Sequence, residues 1–148
     1  MLHCRAFESA PSETILMVKG KVMHFEIPVD EMDRARKFYA DVFGWKIIAV
    51  PGPKPGVECT MVFGAKTDER GMTTEVGAIN GWMVQRANPV KAPVITIDVD
   101  DMDAALVRIK RVGGKVLVPK TAMAEVGFTA YFEDSEGSII GLWQIKKW

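Results

Sequence analysis

The chain repeats itself. Val29-Asp30-Glu31-Met32-Asp33-Arg34-Ala35 matches Val99-Asp100-Asp101-Met102-Asp103-Ala104-Ala105 at an offset of 70, and Gly77-Ala78-Ile79-Asn80-Gly81 matches Gly137-Ser138-Ile139-Ile140-Gly141 at an offset of 60. Both matches keep the same order in each half. Each copy is then one supersecondary unit, and its apolar surface must be buried against the other copy or within a shared sheet. A unit of roughly 60–70 residues is marginal alone. We divide the 148 residues into a tail or arm over 1–20 and a single domain over 21–148, with module one at about 21–90 and module two at about 91–148.

Each module reads as βαβββ, which makes the fold class α+β. In module one, Lys21 to Pro28 alternates, with Met23, Phe25 and Ile27 on one face and Val22, His24 and Glu26 on the other. Asp30 is positioned to cap a helix whose stripe is Met32, Ala35, Phe38, Tyr39, Val42 and Phe43, and Gly44 ends it. Strands follow at Lys46 to Val50, Cys59 to Phe63 and Ala78 to Val84, with Pro51, Pro53 and Pro55 stiffening the first connection. Module two places strands at Val94 to Val99, Lys115 to Val118, Phe128 to Phe132 and Ser138 to Ile145, and a helix at Met102 to Val112. The helix stripes should cover Met23, Phe25 and Ile27 in one module and Ile95, Ile97 and Val99 in the other. The opposite sheet faces are left to curl around a shared cleft.

Charge narrows the partners. There are 19 basic and 19 acidic side chains, so nothing favours nucleic acid or an anionic lipid surface. No apolar run approaches the roughly 20 residues of a membrane helix. Two cysteines, Cys4 and Cys59, make neither a disulfide framework nor a structural zinc site, which points to a cytoplasmic setting. Residues 1–20 lack the apolar core of a secretory signal; their longest apolar run is Ile15 to Val18, and Met17 is a candidate start.

Paired βαβββ modules with these signatures resemble the vicinal oxygen chelate superfamily, which includes glyoxalase I, bleomycin-resistance proteins and extradiol dioxygenases. The resemblance covers about residues 21–146. It is carried by His24-Phe25-Glu26-Ile27-Pro28, by Phe38-Tyr39 with Val42-Phe43-Gly44-Trp45, by Ile97 to Leu106, by Gly113-Gly114-Lys115-Val116, and by Phe132-Glu133-Asp134-Ser135-Glu136-Gly137 leading into Ile140-Gly141-Leu142. It implies curled sheets around a cleft, helices on the outer faces, and a homodimer. In metal-using relatives four cleft positions hold a divalent metal, and they fall here on His24, Gly81, Val94 and Gly141.

Only His24 of those four carries a donor, whereas a catalytic metal needs about three protein ligands. His24, Glu26 and Asp98 form the alternative ligand set, but residues i and i+2 on a strand lie about 6.6–7 Å apart. The expected chain therefore uses no metal and no cofactor. Its cleft should be mostly apolar and roomy beside Gly81 and Gly141, with Met83, Val94 and Trp143 as walls. Its polar groups are His24, Glu26, Thr96 and Asp98. Such a cleft suits a small organic ligand. The other reading is an enzyme, with a rebuilt metal site or metal-free acid/base chemistry at His24 and Glu26. A third is a structural or interaction role. Lys120 and Glu125 are candidate rim residues on a loop from Pro119 to Gly127; Trp82 and Trp148 read as packing residues, and Cys59 as a strand filler.

Overall fold

The computed structural model describes residues 20–52, 55–56 and 58–147. Residues 1–19 of the tail and Trp148 lie outside the described residues, as does Pro53, whereas Gly20 belongs to β1. Module one contributes β1 (Gly20–Val29), α1 (Met32–Phe43), β2 (Lys46–Pro51), β3 (Glu58–Phe63) and β4 (Asn80–Gln85). Module two contributes β5 (Val94–Val99), α2 (Met102–Arg111), β6 (Lys115–Met123), β7 (Gly127–Glu133) and β8 (Ile139–Ile145). All strands join one mixed eight-stranded sheet in the order β2-β3-β4-β1-β5-β8-β7-β6. Its right half mirrors its left about the β1/β5 pair, as two copies of one module require. β1 runs parallel to β4 and β5 parallel to β8, while β1 and β5 are antiparallel.

The offset of 70 is structural. Both helices start on its methionines, Met32 and Met102, and both are capped by the preceding acid. The Glu31 carboxylate accepts from the N–H groups of Asp33 and Arg34, and Asp101 accepts from that of Ala104. Glu31, not Asp30, is thus the first cap. Asp30 instead accepts from Arg86 Nε at 2.9 Å, and Arg86 also donates to the carbonyls of Pro28 and Lys91. Gly44 ends α1 at φ 67°, a left-handed conformation that glycine adopts without strain.

Two apolar cores sit under the helices. Val99, Met102, Ala105, Leu106, Ala130 and Leu142 are buried beneath α2, with Ile97 and Phe128 packed against them. Val29, Val62 and Met83 form the smaller core near α1, flanked by Phe25, Ile27, Met32, Ala35, Tyr39 and Trp45. Five expected floor or stripe positions depart from plan. Met23 falls in a register break of β1 between Val22 and His24, so the alternation restarts there. Ile95, at the start of β5, is 45% exposed. On α1, no residue is buried, and Phe38, Val42 and Phe43 are each more than half exposed. The stripe is wider than the strip of helix that meets the sheet. Tyr39 is the aromatic that faces inward, stacked on Trp45 with ring centroids 5.1 Å apart.

The segment from Pro119 to Gly127 is mostly strand rather than loop, because β6 continues to Met123 and pairs with β7 through two register shifts. This takes Lys120 off the cleft rim, while Glu125 lies in the turn after β6. Lys120 Nζ bonds Asp103 on α2 at 2.7 Å and lies 4.5 Å over the Phe128 ring, on the helix side. Glu125 pairs with Lys146.

Candidate functional site

Strand register decides which side chains enter the cleft. Phe25 and Ile27 face the helix side of β1, so His24 and Glu26 face the cleft. Across β1, His24 lies opposite Thr96 on β5, and Glu26 opposite Val94. Thr96 lies opposite Gly141 on β8, Asp98 opposite Trp143, and Gly141 opposite Tyr131 on β7. Val94, Thr96, Asp98, Gly141 and Trp143 therefore share the cleft face with His24 and Glu26, as the alternation predicts.

β4 does not follow. Its Gly81 lies opposite Phe25 and its Met83 opposite Ile27, so both point to the helix side, and Met83 is 2% exposed in the α1 core. The cleft positions are Asn80, opposite His24, and Trp82, opposite Glu26. A slip of one residue exchanges the two faces of a strand. The offset-60 match aligns two glycines that face opposite sides. Gly81 and Met83 thus leave the cleft, and Trp82 joins it.

Neither glycine opens the space expected of it. A Cβ on Gly81 would sit 2.5 Å from the Phe25 ring, and one on Gly141 would sit 2.6 Å from Thr96 Oγ1. Those neighbours already fill the room. Two hollows lie away from these glycines instead. One, of about 390 Å³, is lined by Val94 with Pro93, Ile95, Ile139 and Ile140. The other, of about 410 Å³, lies over β2 and β3 of module one.

The centre of the cleft is polar and buried. Glu26 is 7% exposed, and the Tyr131 hydroxyl donates to its carboxylate, 2.8 Å from Oε1 and 2.7 Å from Oε2. β7 is three strands from β1, about 14 Å across a flat sheet. Two side chains meeting over that span require the sheet to curl, so this bond closes one module onto the other. Burial raises the Glu26 pKa, and the Tyr131 bond offsets part of the rise. Burial first, then the Glu26 charge, lift the Tyr131 phenol well above its usual range. Burial alone lowers His24 to about 4, so its imidazole is neutral near pH 7. Thr96 is 2% exposed, and its hydroxyl has no partner among the described residues. Asn80 accepts from the N–H groups of Gly64 and Ala65, which occupies its oxygen. Sequence reading missed Tyr131 as well as Asn80 and Trp82, and Tyr131 is the one that bonds Glu26. Its signal was the alternation of Phe128, Ala130 and Phe132, which turns Thr129 and Tyr131 the other way.

The donors do not fit a divalent metal. Gly81 faces away from the cleft, Val94 and Gly141 have no donor, and Glu26 is held by Tyr131. Among the described residues, no three His, Cys, Asp or Glu side chains group closely enough to hold a metal ion. Asp98 lies across the sheet from Lys21, and its carboxyl is raised by burial. Cys59 is half-buried and its thiol is raised, which disfavours the nucleophilic thiolate.

Comparison with known proteins agrees with this architecture. A family model described as "Bleomycin resistance protein-like N-terminal" matches residues 21–64. A glyoxylase-like domain-containing protein of Didymella fabae is 28% identical over 127 residues, covering 83% of this chain and 92% of that protein. The Mycobacterium bovis protein CFP32, whose name carries the word glyoxylase, is 27% identical over 124 residues, 82% of this chain but only 44% of its own length. The chain thus spans less than half of that relative. Among solved structures, a Streptomyces coelicolor methylmalonyl-CoA epimerase in complex with 2-nitronate-propionyl-CoA superposes at TM-score 0.56. It is 16% identical, with coverage of 85% and 97% of the two chains. A glyoxalase/bleomycin resistance protein/dioxygenase superfamily member of Vibrio splendidus superposes at 0.53 with 11% identity, covering 88% and 100%. In its fold, its family-model match and these relatives the chain is similar to members of the glyoxalase/bleomycin resistance/dioxygenase, or vicinal oxygen chelate, superfamily.

Proposed function

We propose that the chain binds a small, uncharged organic molecule in the cleft, without the divalent metal of its metal-using relatives. The observation that carries this is the Thr96 hydroxyl. It is buried on the cleft face opposite His24 and has no hydrogen-bond partner among the described residues. An unpaired buried hydroxyl costs about 1–3 kcal/mol, which a hydrogen bond to a ligand amide or carbonyl would recover. The buried Glu26 carboxylate disfavours an anion there. The tryptophans Trp82 and Trp143 and the aliphatic Val94 supply apolar surface on the same face.

A library of aromatic carbonyl compounds, screened by tryptophan emission, tests this. A saturable change is expected, suppressed by Trp143→Ala and weakened roughly tenfold by Thr96→Val. Silence across the library would leave a structural role as the better account. Lactoylglutathione formed from methylglyoxal and glutathione, and lost in His24→Ala, would also overturn the proposal.

A second reading has Glu26 as an acid/base group. It rests on the burial that raises the Glu26 pKa and on the Tyr131 bond that orients the carboxylate. Its mark is exchange of solvent deuterium into the carbon beside a bound carbonyl, abolished by Glu26→Gln.

A further inference from the structure

The hollow of about 410 Å³ over module one has its own chemistry. Lys46, Ile48, Phe63, Lys66, Thr67 and Glu75 line it. Ile48 and Phe63 are half-buried and give it an apolar floor. The peptide donors around it are already used. Gly64 and Ala65 donate to Asn80 Oδ1, and Lys66 N donates to Glu75 Oε1. The lysine ammoniums are not. Among the described residues neither Lys46 nor Lys66 is ion-paired with a carboxylate. Glu75 on the same lining limits the excess positive charge to one, from two lysines against one carboxylate.

From this lining we infer a second binding site, for a monoanionic amphiphile: one carboxylate or sulfonate on a flat apolar body. The body lies on Ile48 and Phe63, and the anionic group meets the two ammoniums. One negative charge neutralises the excess, whereas a dianion such as a phosphate monoester would leave the site net negative. The site shares no residue with the His24–Glu26 cluster and does not rest on the function proposed above.

Titration of the ¹⁵N-labelled full chain with 2-naphthoate, followed by amide shifts, reads this directly. Saturable shifts are expected at Lys46, Ile48 and 63–67. The neutral 2-naphthamide, of the same shape, should bind about fivefold more weakly, and Lys46→Gln or Lys66→Gln should weaken naphthoate by about as much. Two lysine variants are used so that misfolding of one leaves the other informative. Shifts confined to other surfaces, including the exposed face of α1, would overturn the inference. So would equal affinity for the amide, or naphthoate binding that neither substitution weakens.

Discussion

Gly81→Ala is expected to destabilise the protein by about 3 kcal/mol, at the upper end for overpacking, while Gly141→Ala costs roughly 1 kcal/mol. The two glycines sit at matching places in the sequence repeat, yet their neighbours differ. A Cβ on Gly81 would lie 2.4 Å from the carbonyl oxygen of Phe25, a backbone atom in the middle of a strand pair, and 2.5 Å from two carbons of its ring. The strand cannot yield without losing its register. On Gly141 the closest atom is the side-chain Oγ1 of Thr96, at 2.6 Å, and a rotamer change relieves it. Gly81→Glu, which puts a carboxylate at a position that the resemblance assigns to the metal, should do worse than Gly81→Ala. It would bury a charge on the helix side of the sheet beside Met83 rather than offer a ligand to the cleft. Urea unfolding of the three variants measures the ranking. A Gly81→Ala protein as stable as wild type would contradict the facing of β4.

Acid should destabilise the fold through His24 well before most carboxylates titrate. Its folded pKa of about 4 lies below the ordinary histidine value of 6.5, because burial disfavours the imidazolium. The unfolded chain therefore binds more protons between those values. The stabilisation is complete above the unfolded pKa and is lost as pH falls through the window. The full shift corresponds to about 3 kcal/mol, of which about 2 kcal/mol is gone by roughly pH 5. Glu26 acts in the opposite sense. Its folded pKa is raised, so its contribution is present below the unfolded value and lost as pH rises through the folded one. Chemical denaturation of wild type, His24→Gln and Glu26→Gln between about pH 7.5 and about pH 5 separates the two. His24→Gln should flatten the acid-side fall. An unchanged slope in that variant would show that His24 is not a buried neutral base.

The parts of the molecule legible in sequence were those fixed by local pattern. Alternation located β5, and the offset of 70 pointed to both helices because an acidic residue before a methionine recurs, although the cap of α1 is one residue later than read. The cleft faces of β1, β5 and β8 followed from the same alternation. β4 was misread because two glycines were equated by sequence, and a glycine has no side chain whose polarity would mark its face. Met83 and Trp82 are both apolar, so their alternation carried no sign. The α1 stripe showed which residues lie along one side of the helix, but not how little of that side the sheet reaches. The Glu26–Tyr131 bond joins residues 105 apart in sequence and depends on the curl of the whole sheet. Only the facing of each residue was readable beforehand, not their meeting.

The account stands most directly on the metal content of the cleft. The full chain would be incubated with excess Zn²⁺, Ni²⁺ or Mn²⁺, freed of unbound ions, and analysed by mass spectrometry beside His24→Ala. The account predicts far less than one equivalent of any ion, with wild type and variant alike. Close to one equivalent in wild type, lost in His24→Ala, would contradict it.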